Sequence, residues 1–322
     1  MSQGILSTIG NTPLIRLDRF LDASHVNLYA KLELFNPGGS IKDRPAYSML
    51  TEAMKKGEIN PETTIVESSS GNLGVGLAQV CSYLGIRFVC VVDSRTSLTN
   101  VRIMEAYGAQ IDWISEPDPE VGTFLAARIK RVRQLLETIP NSFNCNQYMN
   151  LNNPRAHYQT MQEIVDVLDG QQLDYIFCAT STCGTLRGCA EYTRDHQLDT
   201  KIIAVDAVGS VIFGDTPKPR LIPGHGSGVK PPLYQSQLET KSILVSDLDC
   251  VVGCRQLLKR ESVLGGGSTG AVMSAVQKMA MHLPAGANCV AIVCDRGERY
   301  VETIYSNDWV CKHFGDVSHL WS

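Results

Sequence analysis

Short runs of β-branched and other apolar residues alternate along most of the chain with segments of helical pattern. The runs are TIVE (64–67), RFVCVVD (87–93), AQIDWI (109–114), DYIFCAT (174–180), KIIAVDA (201–207), SILVSD (242–247) and CVAIVCD (289–295). Strands this apolar need burial on both faces, and alternation with helices is typical of a mainly parallel sheet covered on both sides. The sequence therefore predicts an α/β fold.

The chain is too long for one small core, since 322 residues correspond to about two units of this kind. We expect the break between them near NQYMNLNNP (146–154), where helix breakers follow a charged helical segment. A stretch with five prolines and three glycines, Thr216–Leu233, is expected to form a long surface loop that could cover a pocket.

Charge and cysteine usage limit the partners and the compartment. The net charge is −4, and lysines and arginines are spread along the chain, which argues against nucleic acid and against an anionic membrane surface. No apolar run approaches the ~20 residues of a membrane span. Eleven cysteines without CxxC spacing indicate buried apolar side chains in a reducing cytoplasm, with neither a metal site nor disulfides expected. Small molecules are the expected substrates.

One lysine follows a Pro-Gly-Gly-Ser turn in NPGGSIKDRPA (36–46). Ser40 can cap a helix and Pro45 is tolerated in a first turn, so Lys42 is expected at a helix N-terminus. A cation there opposes the helix dipole by ~0.3–1 kcal/mol, a cost that Asp43 could offset. A lysine whose amine forms a Schiff base with a carbonyl cofactor fits this position better than a solvated surface lysine.

Two later turns join a strand to a helix. ESSSGNLGVG (67–76) offers backbone N–H groups and serine hydroxyls that suit a carboxylate, although an ordinary serine-capped turn explains the segment equally well. TSTCGTLRG (180–188) follows a strand directly, which is how α/β proteins hold a phosphate at the carboxyl edge of a sheet.

A glycine-rich segment, GGGSTGAV (265–272), has a competing interpretation. Gly265, Gly267 and Gly270 satisfy GxGxxG, and Asp295 stands near the offset of a ribose-binding acid, so an NAD-dependent dehydrogenase has to be considered. The preceding ESVL follows a helical pattern and is too short for a confident strand. This context weakens the dinucleotide interpretation.

In this order, NPGGSIKDRPA, SSSGNLG, STCGT, GGGSTGA and CDRGERY resemble the cysteine synthase and tryptophan synthase β group, the fold-type II pyridoxal phosphate enzymes. The resemblance runs from Gly10 to Tyr300. It implies two three-layer αβα domains with mainly parallel sheets, usually in a homodimer. Residues 46–148 would form a smaller, mobile domain with the substrate-carboxylate loop, and residues 1–45 plus 149–322 a larger domain that binds the cofactor.

The resemblance also implies roles for individual residues. Lys42 would hold pyridoxal 5'-phosphate as a Schiff base and act as the catalytic base, Asn72 would bind the phenolic oxygen of the cofactor, and Ser268 would face its pyridine nitrogen. The cofactor phosphate would lie in the turn formed by Ser181, Thr182, Cys183, Gly184 and Thr185. The substrate carboxylate would be bound by Ser69, Ser70, Gly71 and Gln147.

One branch of the family fits best. AVDAVGSVIFGDTP (204–217), NQYMNLN (146–152) and YSNDW (305–309) resemble synthases of siderophore pathways that join O-phospho-L-serine to L-glutamate. The implied reaction is a β-replacement through an aminoacrylate, and a partner NAD-dependent dehydrogenase then releases 2,3-diaminopropionate. A cysteine synthase or O-phosphoserine sulfhydrylase that uses sulfide, and a non-catalytic scaffold that retains the cofactor, are the alternatives.

Four positions have specific expectations in this branch. Arg128 and Tyr148 match positions near the second substrate, although a solvated helix arginine explains Arg128 equally well. Ser181 replaces the glycine of the common cysteine synthase loop, which narrows the pocket and adds a hydrogen-bond donor. His225 is expected to be a solvent-exposed loop residue, with a contact to the leaving phosphate as the alternative.

Overall fold

The computed structural model describes residues 4–22, 25–214 and 216–321. The chain divides into two compact units. The first comprises residues 4–9 and Asn36–Asn153, and the second comprises the described parts of Gly10–Phe35 and Pro154–Ser322. Lys42 therefore belongs to the first unit, while the functional division into residues 46–148 and residues 1–45 plus 149–322 stays a prediction.

The described residues contain ten strands and nine α-helices. The strands are β1 (Leu14–Arg16), β2 (Asn27–Leu32), β3 (Thr64–Ser68), β4 (Arg87–Asp93), β5 (Gln110–Ile114), β6 (Ser142–Phe143), β7 (Tyr175–Ala179), β8 (Lys201–Ala207), β9 (Lys241–Val245) and β10 (Asn288–Val293). The α-helices are α1 (Asp43–Lys55), α2 (Asn72–Leu84), α3 (Leu98–Ala106), α4 (Phe124–Thr138), α5 (Asn152–Leu168), α6 (Gly184–Asp195), α7 (Asp247–Glu261), α8 (Gly267–Ala280) and α9 (Asn307–Phe314). Short 3-10 helices span Gly4–Thr8, Glu33–Phe35, Gly297–Tyr300 and Ser318–Leu320.

Each unit is built on one sheet. The first has four strands in the order β5-β4-β3-β6, all parallel. The second has six strands in the order β1-β2-β10-β7-β8-β9, in which only the pairing of β1 with β2 is antiparallel. The predicted α/β class with mainly parallel sheets is confirmed, and every predicted run forms a strand. The short strands β1 and β6 and the edge-proximal strand β2 were not predicted from the sequence.

Strand β4 explains why its sequence is apolar without alternation. Phe88, Cys90 and Val92 pack into a core cluster shared with α1 and α2. Val89 and Val91 point to the other face, where they pack against α4. Because helices cover both faces, a polar residue at alternate positions would be buried without a partner.

The second sheet reverses its strand order beside β7. The chain leaves β7 through α6 and returns as β8 on one side, whereas β10 pairs with β7 on the other side. In open α/β sheets, ligands bind beyond the carboxyl ends of the strands at such a switch point. In this unit, the turn that follows β7 is therefore the expected position of a phosphate site. No helix in the described parts of the chain combines the length and the apolarity needed to cross a membrane.

Candidate active site

Lys42 directly precedes α1, as the sequence predicts, and is half buried. Its backbone N–H donates to the Ser40 hydroxyl at 3.1 Å. The Asp43 carboxylate accepts the N–H of Gly38 at 2.5 Å, so the first helical residue binds back to the Pro-Gly-Gly-Ser turn. A Cβ at Gly38 would lie 2.6 Å from Asp43 Oδ1, which explains why this position is glycine. The turn thus fixes the backbone that carries the lysine.

Helix α2 packs closely against the start of α1. A Cβ at Gly76 would lie 3.2 Å from both the Lys42 carbonyl oxygen and the Ala46 Cβ. The absence of a side chain at Gly76 therefore permits the close approach of the two helices at the level of the lysine. Asn72, the first residue of α2, is half buried four residues earlier on this helix.

The serine-rich turn between β3 and α2 contains two serines in different environments. Ser69 is buried, and its hydroxyl accepts the N–H of Gly74 at 2.9 Å and that of Gly71 at 3.4 Å. Ser70 is exposed. Gly71 precedes α2 with extended backbone angles. The Ser69 hydroxyl organises the helix start, and the exposed Ser70 hydroxyl lies beside this helix N-terminus, which favours an anion.

A buried glutamate, which the sequence analysis missed, lies directly before this turn. Glu67 is 5% exposed, and its Oε1 accepts the N–H of Ser68 at 2.9 Å. The nearby side-chain amide of Asn144 and the backbone N–H groups of Asn146 and Gln147 also favour the ionised form of this carboxyl group, although Glu67 Oε2 has no hydrogen-bond partner among the described residues. Burial outweighs these effects and raises the pKa of Glu67 to about 7. The available signal was an acidic residue inside the apolar run TIVE.

Arg128 forms a buried ion pair with Asp93. Its Nε lies 3.2 Å from Asp93 Oδ2, and the two side chains are 11% and 5% exposed. Arg128 lies on the face of α4 that also carries Val132 and Leu135, which pack against the sheet. The alternative of a solvated helix arginine is therefore wrong. Tyr148, the other residue expected near the second substrate, is half buried.

The turn after β7 has the features of a phosphate cradle. Cys183 has a left-handed backbone with φ of 65°, which is uncommon outside glycine and asparagine. The Thr182 hydroxyl accepts the N–H of Gly184, the first residue of the twelve-residue helix α6, at 3.3 Å. The N–H groups of this helix start and its dipole favour an anion. The structure thus brings the predicted phosphate-binding residues together in one turn: Ser181, Thr182, Cys183, Gly184 and Thr185.

Ser268, the second residue of α8, is buried in the second unit. A Cβ at Gly224 would lie 3.3 Å from its hydroxyl, so the loop backbone runs close to this serine. Two residues later, Gly226 donates its N–H to the Thr180 carbonyl at 2.6 Å. The segment 224–226 therefore contacts both Ser268 and the residue that precedes the phosphate turn.

The GxGxxG segment lacks the setting of a dinucleotide site. Helix α7, not a strand, precedes it in the chain, and α8 begins at Gly267 inside the motif. The strand–turn–helix unit that such a motif requires is therefore missing at this place. The dehydrogenase interpretation is wrong.

His225 is buried, whereas the sequence predicts a solvent-exposed loop residue. It is 3% exposed, and its Nε2 lies 3.5 Å from Cys250 Sγ on α7. The loop is held over this helix because the Asp247 carboxylate accepts the N–H groups of Leu221 and Ile222, each at 3.0 Å. Burial lowers the pKa of His225 to about 4, so the ring is neutral near pH 7. The expectation of a solvent-exposed loop histidine is wrong.

Each unit carries groups that suit one part of a phosphate-bearing carbonyl cofactor. A lysine amine at the start of α1 can form an imine, the turn before α6 can bind a phosphate, and the hydroxyl at the start of α8 can hydrogen-bond a heterocyclic nitrogen. Gly224 leaves the space above Ser268 that a Cβ would fill. Fold and residues together define an enzyme that depends on pyridoxal phosphate.

Comparison with known proteins agrees with this class. Residues 5–295 match the family model described as pyridoxal-phosphate dependent enzyme. The chain belongs to this family, which confirms the resemblance and the cofactor that the motifs indicated. It is 41% identical over 313 residues to an N-(2-amino-2-carboxyethyl)-L-glutamate synthase of Ralstonia nicotianae, covering 97% of this chain and 92% of that protein.

Solved structures of related enzymes share the fold. An O-ureido-L-serine synthase superposes with a TM-score of 0.87 at 30% identity, covering 94% of this chain and 97% of that chain. An O-acetylserine dependent cystathionine beta-synthase from Helicobacter pylori gives 0.86 at 32% identity, with 94% and 98% covered. A hydrogen sulfide-producing enzyme from Fusobacterium nucleatum gives 0.86 at 31% identity, with 93% and 100% covered.

Proposed function

We propose that this enzyme replaces the phosphate of O-phospho-L-serine by the amine of L-glutamate, giving N-(2-amino-2-carboxyethyl)-L-glutamate and inorganic phosphate. The observation that carries the proposal is the 41% identity, over 97% of the chain, to a synthase named for this product. The same function is predicted from the sequence, and the name of that relative bears it out.

Lys42 acts as anchor and as base in this proposal. Pyridoxal phosphate, when bound, withdraws electrons from the α-carbon of an attached amino acid. The Lys42 amine would hold the cofactor in the resting enzyme. As a free amine, it would remove the proton from Cα of the donor substrate as the phosphate leaves Cβ. After the glutamate nitrogen has bonded to Cβ, the same amine returns the proton to Cα.

The remaining cofactor contacts follow from the chemistry of their groups. The turn Ser181–Thr185 binds the phosphate of the cofactor, and the Asn72 amide hydrogen-bonds its phenolic oxygen. Ser268 offers a neutral hydroxyl to the pyridine nitrogen, and a hydroxyl does not hold that nitrogen protonated as a carboxylate would. A weaker electron sink favours β-elimination over transamination.

The donor and the acceptor bind to different groups. Backbone N–H groups and hydroxyls at Ser69, Ser70 and Gly71, together with Gln147, bind the α-carboxylate of phosphoserine. We assign binding of L-glutamate, which carries two carboxylates, to Arg128, Tyr148 and Ser181. The Arg128 guanidinium retains unused N–H donors, because its Nε and Nη1 are buried without a hydrogen-bond partner among the described residues.

A sulfide-using enzyme is the second candidate, since the names of the Fusobacterium and Helicobacter structures point to sulfur chemistry. Purified holoenzyme is supplied with phosphoserine and, separately, glutamate or sulfide, and the products are identified by mass spectrometry. We expect faster turnover with glutamate. Faster turnover with sulfide rejects the proposal, and absence of phosphate release with either acceptor supports the non-catalytic alternative.

The proposal also includes the compartment, the oligomeric state and the pathway of the enzyme. We place the enzyme in the cytoplasm as a homodimer whose smaller domain, residues 46–148, moves during the catalytic cycle. Its product contains a secondary amine that an NAD-dependent dehydrogenase can oxidise, releasing 2,3-diaminopropionate for siderophore biosynthesis. Sedimentation of the holoenzyme tests the dimer, and a coupled assay with such a dehydrogenase tests the pathway step.

A further inference from the structure

We propose that His225 is a positioning residue for the cofactor: its buried imidazole holds the backbone of residues 224–226, the GHG segment, against Ser268, whose hydroxyl is assigned to the pyridine nitrogen. The inference deepens the proposed function and rests on its assignment of Ser268. His225 acts through Gly224 and not by contact with the cofactor.

Contacts with the start of α8 lead the chain into the GHG segment. A Cβ at Gly267 would overlap the Ile222 side chain and would lie 3.4 Å from the Pro223 carbonyl oxygen. One residue further along both segments, a Cβ at Gly224 would lie 3.3 Å from the Ser268 hydroxyl and 3.4 Å from the Ser268 Cβ. The loop backbone therefore runs alongside the first two residues of α8, and a shift of the loop changes the surroundings of the Ser268 hydroxyl.

Hydrogen bonds fix the chain from the last residue of the GHG segment onward. Gly226 donates its backbone N–H to the Thr180 carbonyl at 2.6 Å. Ser227 donates its backbone N–H to the Ser210 hydroxyl at 3.0 Å. This end of the segment is thus attached to the residue that precedes the turn assigned to the cofactor phosphate.

Backbone freedom gives the middle residue of the segment its importance. Gly224 and Gly226 both have a positive φ, 98° and 75°. Glycine adopts such angles readily, but it also has access to many other backbone conformations. His225 carries the only side chain of the GHG segment. The contacts of this side chain therefore select one conformation for the residues on either side of it.

The imidazole is anchored to the core of the second unit. Its Nε2 lies 3.5 Å from Cys250 Sγ, and the His225 side chain is 3% exposed. Cys250 is fully buried in the core cluster and lies on α7, which packs against α8. On the backbone, Arg220 Nη1 donates to the His225 carbonyl at 3.2 Å. Both the side chain and the carbonyl of His225 are therefore held in place.

The effect of this anchor on the cofactor is positional and not electrostatic. Burial, together with the positive charge of Arg220, lowers the pKa of His225 to about 4, so the ring is neutral near pH 7. The negative charge of Asp247 acts in the opposite direction and does not outweigh them. Replacement of the imidazole should therefore move the loop without removing a charge. The absorbance of the bound cofactor reports this movement, because it depends on the hydrogen bond at the ring nitrogen.

The test is a double-mutant cycle on cofactor binding by the full chain. Apoprotein prepared with hydroxylamine is titrated with pyridoxal phosphate, and affinity and absorbance are measured for the parent, H225L, S268A and the double variant. For His225→Leu we expect roughly tenfold weaker binding, about the effect of one lost hydrogen bond, and a shifted absorbance maximum. Because His225 acts through Ser268, the double variant should bind the cofactor no more weakly than S268A.

Three results would overturn the proposal. They are a parent-like affinity and spectrum of H225L, additive losses in the double variant, and an unchanged affinity of S268A, which would also remove the assignment of Ser268. Substrates take no part in the titration. A failure of the proposed reaction, such as faster turnover with sulfide, therefore leaves the result of the cycle unaffected.

His225→Gln separates the specific contact from general damage. The glutamine amide can reach the position of Nε2. Nδ1, which glutamine does not replace, has no hydrogen-bond partner among the described residues. H225Q should therefore bind the cofactor within about twofold of the parent, since the amide can replace the Nε2 contact. A loss equal to that in H225L would contradict a role for this contact.

Should H225L fail to fold, Cys250→Ala decides. This variant removes the sulfur that contacts Nε2, whereas Cys289→Ala removes an equally buried sulfur from β10 in the same core cluster. C250A should weaken cofactor binding and shift the absorbance maximum, and C289A should change neither. Equal effects of the two cysteine substitutions, or no effect of C250A, would reject the role of His225.

Discussion

The ammonium of Lys31 lies 2.7 Å from the Glu163 carboxylate in the second unit, and both side chains are buried. The same ammonium donates to the Thr12 carbonyl at 2.7 Å, and Glu163 accepts the N–H of Asn11 at 2.9 Å. This network attaches residues 10–14 (GNTPL) to β2 and α5. Because the Lys31 and Glu163 side chains are buried, water does not replace a lost partner of either one.

Lys31→Met should therefore destabilise the protein strongly. It leaves the Glu163 carboxylate buried without its cation, and breaking such a pair costs about 3–5 kcal/mol. Urea unfolding of the holoenzyme measures the change. Lys55→Met is the matched control, because Lys55 makes an ion pair of the same length, 2.7 Å, with Glu52 on the exposed surface of α1. The control should leave unfolding unchanged, and equal effects of both substitutions would contradict the argument.

Lys42→Ala should abolish stable loading with the cofactor. The variant keeps the turn and α1 but loses the only group at this place that can form an imine with the aldehyde. Dialysed protein should lack the yellow absorbance, and borohydride reduction of the parent should label a peptide containing Lys42. Lys56→Ala, at the other end of the same helix, should remain yellow. A yellow Lys42 variant with full phosphate release would reject the assigned role.

His225→Leu should change how stability depends on pH. Burial lowers the pKa of His225 to about 4. The unfolded chain therefore binds a proton more readily, and the contribution of His225 to stability is present above about pH 6.5 and is lost as the pH falls toward 4. The stability of the parent relative to H225L should fall by about 2 kcal/mol between about pH 7.5 and 5. The exposed His282 gives the control variant H282L, whose unfolding is measured over the same pH range.

Glu67→Gln should show the opposite trend. The pKa of Glu67 is raised from 4.5 to about 7, so the folded protein binds the proton more readily and the stability contribution is lost as the pH rises through this range. The stability of the parent relative to E67Q should fall by about 2 kcal/mol between about pH 5.5 and 8.5. Urea unfolding at several pH values measures it. A constant difference would mean that the carboxylate titrates near its ordinary pKa.

The sequence predicted the elements whose signals are local. Buried parallel strands such as β4 are continuous apolar runs, and Lys42 stands in a turn whose glycines and prolines restrict the backbone. It did not predict the environments of Glu67, Arg128 and His225, because these depend on which segments pack together. An arginine on a helix looks the same in sequence whether it faces solvent or Asp93. The strands β1 and β6 were missed since three and two residues carry no periodicity.

Arg128→Lys should separate the two substrates. The substitution keeps a positive charge beside Asp93 but removes the planar fork of donors that binds a carboxylate with two hydrogen bonds. Under the proposed function, KM for glutamate should rise by roughly tenfold, in line with the loss of one charge-assisted hydrogen bond, while KM for phosphoserine changes little. The control is Arg131→Lys on the same helix, whose guanidinium pairs with Asp112 at 2.9 Å in a more exposed position. Equal changes in KM for both substrates, or an effect of the same size in the control, would contradict this role. Either result would mean that Arg128 stabilises α4 and does not bind the acceptor.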